Sequence, residues 1–185
     1  MIRPLLATAG ALAALALAAP QAHAACPAQP LDRTFLPWLD PAYYQEAPDS
    51  GFEVGGRWSL RDGAAIVDGN QPYFAGAKSL DLPVGSSATT APICVTVAHP
   101  TIRFFARNTG STLAPLTVTV QFKTLLGLPA ELPVGEIVGG AQWQPTAPLL
   151  LLGNLLSNEV RFRFTPAPGS EWQIDDVYVD PYSKG

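Results

Sequence analysis

The feature that most constrains this chain is strict two-residue alternation. From Leu116 to Lys123, Leu116, Val118, Val120 and Phe122 fall on one side and Thr117, Thr119, Gln121 and Lys123 on the other. Successive side chains of a strand point to opposite faces, so this run is a strand with one buried and one solvated side. Val160, Phe162 and Phe164 against Arg161, Arg163 and Thr165 repeat the pattern, as do Ile102, Phe104 and Ala106 against Arg103, Phe105 and Arg107. Less regular strands are predicted at Arg57–Leu60, Ala64–Asp68, Ser79–Val84, Ile93–Ala98, Trp143–Leu151 and Trp172–Val179, about nine in all. Asp62-Gly63, Asp68-Gly69-Asn70 and Asn108-Thr109-Gly110 mark turns between them, and the 19 prolines and 16 glycines are spread along the chain. Leu149 to Leu156 suits a helix by composition, but Gly153-Asn154 interrupts it and favours a strand followed by a turn. The expectation is an all-β, two-sheet antiparallel β-sandwich.

The N-terminus reads differently. Arg3 precedes an apolar stretch from Leu5 to Ala19, and Ala22-His23-Ala24 gives the small-x-small pattern of a signal-peptidase site. The stretch is shorter than the roughly 20 residues a membrane span requires. Residues 1–24 are therefore expected to be a signal peptide, 25–48 an N-terminal tail and 49–185 the sandwich domain, secreted and with no membrane insertion after cleavage. The two cysteines, Cys26 and Cys94, are expected to pair in an oxidising compartment and pin the tail. The formal net charge is −4, so the overall balance points to neither nucleic acid nor an anionic membrane.

Catalytic patterns are sparse. His99 sits before Pro100, no Gly-x-Ser-x-Gly elbow occurs, and the Glu-x-Asp-x-x-Glu strand of familiar jelly-roll glycosidases is missing from the sequence. Zinc would need several His or Cys, and no phosphate-binding glycine loop or other organic-cofactor motif is present.

The order of short motifs is more telling. Asp49-Ser50-Gly51-Phe52-Glu53, then Trp58, then Gly76-Ala77-Lys78-Ser79-Leu80, and last Trp172-Gln173-Ile174-Asp175-Asp176-Val177 resembles the jelly-roll carbohydrate-binding modules and their galactose-binding-like relatives. The resemblance spans Asp49 to Asp180, with Asp49 where that group usually has Asn. It implies a sandwich of jelly-roll type and a non-catalytic role in binding a glycan or cell-envelope component. It also implies a structural calcium ion held by Glu53 with Asp175 or Asp176, since adjacent carboxylates are hard-oxygen ligands. Ile174, Val177 and Val179 can share a face only if an extra residue intervenes, which predicts a β-bulge at Asp175-Asp176.

The polar sides of the three clearest strands collect Arg103, Arg107, Arg161, Arg163 and Lys123 with Phe105. If these strands are neighbours, they form a basic platform on which Arg pairs with acidic groups of a glycan and Phe105 offers a stacking surface, joined by Trp143 and Tyr73. Ordinary solvated strand surface has the same composition. An adhesive envelope protein with a protein partner, or an unrecognised secreted hydrolase or lyase, are the competing classes.

Overall fold

In the computed structural model the described residues are 30–95, 101–151 and 159–180. The expected signal peptide, Cys26, His99 and the 152–156 half of the ambiguous leucine run lie outside them.

Thirteen strands form two antiparallel sheets: β1 (Gln45–Glu46), β2 (Ser59–Arg61), β3 (Ala65–Asp68), β4 (Lys78–Leu82), β5 (Ser87–Thr89), β6 (Ile93–Cys94), β7 (Thr101–Asn108), β8 (Leu116–Lys123), β9 (Pro129–Ile137), β10 (Gln144–Pro145), β11 (Leu149–Leu150), β12 (Glu159–Pro166) and β13 (Trp172–Asp180). The seven-stranded sheet runs β10-β7-β13-β4-β3, with β1 added to β13 and β11 to β7. The six-stranded sheet runs β2-β5-β12-β8-β9, with β6 added to β12. This is a jelly-roll β-sandwich, as the alternation and motif order predict.

The core lies where the inward sides of the alternating strands meet. Leu116, Val118 and Val120 of β8, Phe162 and Phe164 of β12, Phe104 of β7 and Ile174 of β13 are each 0% exposed, and Ala106 of β7 is 7% exposed. Burying side chains of this size stabilises by roughly 1.5–3 kcal/mol apiece before the entropy of ordering is subtracted. The opening motif is anchored in the same core: Phe52 meets Trp58 at 4.9 Å, and Trp58 stacks on Phe164 at 5.7 Å.

The predicted bulge is present. The β13–β7 register shifts between Asp175 and Tyr178, and Asp176 has φ +46°. The shift lets Ile174, Val177 and Val179 all reach the core.

Several elements differ from expectation. β9 was hidden by Pro129 and Pro133, which cannot donate to a ladder; it is an edge strand, where that loss is tolerated. Trp143–Leu151 is two short strands, β10 and β11, separated by 146–148. β1 and β5 are too short to show a period.

Residues 30–48, expected as a tail ahead of the domain, pack into it. Phe35, Tyr44 and Ala47 are buried at 0%, 1% and 1% exposure. A backbone bridge pairs Asp32 with Tyr44, and a 3₁₀ turn at Leu36–Trp38 closes the excursion. The segment forms a flap that lies over the outer face of the seven-stranded sheet and feeds into β1 beside β13. Cys94 is disulfide-bonded, and the side-chain Nε2 of Gln45 donates to its carbonyl at 2.9 Å.

Candidate functional site

The basic platform is not assembled. Arg103 and Arg107 stand on β7 in the seven-stranded sheet, whereas Arg161 and Arg163 on β12 and Lys123 on β8 belong to the six-stranded sheet. The two sets face away from each other because a jelly roll sends sequential strands to opposite sheets. Arg163 pairs with Glu131 at 3.2 Å on the exposed side of its sheet. Arg161 and Lys123 are exposed there as well.

Arg103 and Phe105 are also not surface ligand groups. Arg103 is 5% exposed; its Nη1 donates to Asp40 Oδ2 at 2.9 Å, its Nε donates to the Thr146 carbonyl at 2.8 Å, and its guanidinium lies 4.1 Å from the Phe35 ring centre. The Tyr44 hydroxyl donates to the same Asp40 oxygen at 2.6 Å. Burial, and then that bond, push the Tyr44 phenol well above its ordinary range. Phe105 is 0% exposed beneath Phe35, Trp38, Tyr73 and Phe74, with ring centres 5.4–5.6 Å away. These two residues fasten the flap to the sheet.

Arg107 is different. One residue row further along the sheet, β7, β13 and β4 place Arg107, Gln173 and Asp81 side by side. Nε and Nη2 of Arg107 donate to Gln173 Oε1 at 2.9 and 2.6 Å, and Gln173 Nε2 donates to Asp81 Oδ1 at 3.2 Å. All three residues are half-buried. Trp143, just before β10, continues the row, its ring centre 5.1 Å from the Arg107 guanidinium. The chain makes a polar strip with donors at one end, Asp81 Oδ2 as an acceptor at the other, and an aromatic ring beside the donors.

A loop walls this strip. Residues 70–76 leave β3 at one edge of the sheet and cross to the other, where the Tyr73 hydroxyl donates to the Trp143 carbonyl at 3.0 Å. Phe74 stands edge-on to Phe105 and Trp38, whereas Tyr73 is edge-on to Trp38 and tilted by 33° to Phe105. Gln71, 1% exposed, pins the loop: its Oε1 accepts from the backbone N–H of Tyr73 and Phe74 at 2.6 and 3.1 Å, its own N–H donates to Asp175 Oδ2 at 3.1 Å, and its Nε2 donates to Asp176 Oδ2 at 2.7 Å. The loop stands beside the strip on the outer face of the sheet, a groove-like step one residue row wide.

The Asp175-Asp176 pair is thus part of the groove's support. Burial, then the Asp176 charge, raises Asp175 to about 8; burial, with the charges of Glu46 and Glu53, raises Asp176 to about 6. Each of the three expected calcium ligands has at least one oxygen engaged within the fold. Asp175 Oδ1 accepts from the Asp176 N–H at 3.0 Å, the other oxygen is bonded to Gln71, and Glu53 Oε1 accepts from the N–H of Ala77 and Lys78 at 2.6 and 3.0 Å. Among the described residues no group of three or more His, Cys, Asp or Glu is arranged to hold a metal.

Sequence reasoning named Arg107, Trp143 and Tyr73 but missed Gln173, Asp81 and Gln71. Gln173 and Asp81 were legible as the outward residues between Trp172 and Ile174 and between Leu80 and Leu82. Nothing local marks Gln71, whose role depends on a bulge about a hundred residues away, at sequence separations of 104 and 105.

No protein-family model matches the chain and no curated protein matches its sequence. Solved structures do match in fold. The CBM22-1 xylan-binding domain from Paenibacillus barcinonensis superposes with a TM-score of 0.53 at 13% identity, covering 74% of this chain and 94% of that one. A second xylan-binding CBM22 domain gives 0.52 at 15% identity over 79% and 99%. The enzymatically active domain of bacteriophage CBA120 tailspike protein 4 gives 0.53 at 18% identity over 71% of this chain, which spans only 20% of the tailspike chain. The chain has the jelly-roll fold of carbohydrate-binding modules.

Proposed function

We propose that this protein is an exported, non-catalytic module that binds a neutral glycan chain in the groove over β10, β7, β13 and β4. The observation that carries the reading is the half-exposed row Trp143, Arg107, Gln173 and Asp81, in which Arg107 Nη1 and Asp81 Oδ2 have no partner in the described residues. A sugar ring presents an apolar C–H face and a belt of hydroxyls that both donate and accept. An aromatic ring beside a donor-to-acceptor strip complements both features. Strands lie about 4.8 Å apart, so the row is roughly 14 Å long, room for about three linked rings. Arg107 and Asp81 offset each other in charge, which favours a neutral chain over an acidic one.

The row brings one carboxylate, Asp81, to the groove, whereas glycoside hydrolysis ordinarily requires two that flank the scissile bond. Binding without turnover is the reading this supports. Export is supported by the signal-peptide pattern of residues 1–24 and by the disulfide at Cys94, which belongs to an oxidising compartment. Cys26 is its proposed partner.

The test is affinity electrophoresis of the mature protein against neutral and acidic soluble polysaccharides. Retardation by at least one neutral polysaccharide is expected, with affinity falling at least tenfold, about 1.4 kcal/mol, in Trp143→Ala and in Arg107→Ala. Failure to bind any neutral glycan, or wild-type binding in both variants, would sink the reading.

A further inference from the structure

A second recess lies on the other side of the segment that carries Trp143. The chain leaves β9 in one sheet, crosses at 138–143 and enters β10 in the other, and beneath this crossing is a pocket of about 360 Å³. That volume is at the lower end of small-ligand sites. Ala106, Ile137, Leu149 and Trp172 give it an apolar floor, and Glu136, Gln142 and Gln144 a polar rim. The crossing passes over the indole at Gly139, where even a Cβ would stand 3.4 Å from Trp172 Cη2.

Trp143 lies between Gln142 and Gln144 in sequence. It turns to Arg107 on the outer face, while both its neighbours line the pocket. Alternation along an extended segment thus gives one stretch of chain two working sides.

We infer that the crossing pocket is a second binding site, separate from the groove, that takes a single neutral sugar ring. The C–H face of the ring would rest on the edge of Trp172, Ile137 and Leu149. Its hydroxyls would meet the amides of Gln142 and Gln144, each of which both donates and accepts, and the carboxylate of Glu136, which accepts. The two glutamine side chains are exposed and have no hydrogen-bond partner within the described residues. Glu136, which also lines the pocket, accepts at Oε1 from the Thr117 hydroxyl at 3.3 Å. Among the described residues no lysine or arginine lines the recess and Glu136 is its one charged group, which disfavours an anionic ligand. An apolar floor with bonding groups confined to the rim matches the C–H face and hydroxyl belt of one ring.

The experiment is a titration of isotope-labelled mature protein with glucose, galactose, mannose and xylose, each up to tens of millimolar, followed by nitrogen-proton correlation spectra. It is run in the Trp143→Ala background, so that the groove does not contribute. At least one sugar is expected to shift the Trp172 indole resonance together with the Gly139 and Gly140 amides, with saturation. In the Gln142→Ala, Gln144→Ala double variant, which changes only exposed side chains, the same shifts should require at least tenfold more sugar. No saturable shift at Trp172 with any of the four sugars, or an undiminished response in the double variant, would overturn the inference. The groove is read separately, from Tyr73 and Arg107 resonances in the wild type titrated with an oligosaccharide, so failure of either site is visible without the other.

Discussion

Each sheet turns one face away from the core, and the two faces have been treated in opposite ways. On β8 and β12 the outward residues Thr117, Thr119, Gln121, Arg161 and Arg163 remain open or half-open to water. On β7 the residues from Thr101 to Ala106 are buried on both sides, because the flap and the 70–76 loop cover what the core does not. The covering segments are distant in sequence: Asp40 reaches Arg103 across 63 positions and Tyr73 reaches Trp143 across 70. A strand's own period therefore tells which residues leave the core but not whether water or another part of the chain receives them.

The sharpest way to break the comparison is to remove one arginine from each face. Arg103→Ala removes the guanidinium from a largely buried pair whose side chains are 6% and 13% exposed, and should cost about 3–5 kcal/mol in a denaturant melt. Arg163→Ala removes the partner of Glu131 in a pair 37% and 36% exposed and should cost under about 1 kcal/mol. Equal losses would mean that the flap is not docked in solution.

Reduction of the Cys94 disulfide comes next. A bridge to Cys26 closes a loop of about 69 residues, for which a loss of roughly 2–4 kcal/mol is expected under a reductant. The oxidised mature protein should also be two hydrogens lighter by mass; two free thiols in exported material would refute the pairing.

Acidity should separate the faces by sign. Asp175 and Asp176, under the covering loop, titrate in the native state at about 8 and about 6, above their unfolded range near 4. The native protein holds protons that the unfolded chain has released, so stability from this pair is fully present below about pH 4 and is lost as pH rises from there to about 8. On the open face burial pulls Glu131 upward, but bonds from Thr119 and Gln121 and the charge of Arg163 outweigh it and hold it below its ordinary value. Its contribution is lost instead as pH falls. The melting temperature should therefore drop by several degrees between pH 5 and 8.5, and Asp175→Asn should flatten that drop. A calcium ion held by this pair would raise the melting point mainly at the alkaline end, where both acids are ionised.

The smallest effect expected is none. Arg161→Ala with Arg163→Ala should leave glycan affinity within twofold of wild type at low and moderate salt. A marked loss would return the six-stranded sheet to the functional account.

These contrasts also show what was readable in advance. β8, β12 and β7 announce themselves by period, and the mismatch among Ile174, Val177 and Val179 announces the bulge. Arg103 and Arg161 occupy equivalent outward places in such strands, and no local signal separates the one clamped beneath Phe35 from the one in water. β9 was lost to its prolines, and the flap to the absence of any repeating pattern in residues 30–44. The groove was half legible for the same reason: Trp143 and Arg107 stand out by type, whereas Gln71 matters only through partners that the fold brings to it.

The pairing of β1 with β13 sets the order in which the molecule can be finished. Gln45 and Glu46 meet Val179 and Tyr178, so nearly the whole chain must be available before the seven-stranded sheet is complete. The flap is made before every strand, yet its seat is built from β7 and β13. Contacts of such long sequence separation form slowly, on the scale of milliseconds to seconds. A chain threaded through a membrane from its N-terminus would cross with Phe35, Trp38 and Tyr44 uncovered and without a surface to dock on. The groove-bearing face would then be the last part to mature, after translocation has delivered the closing strand.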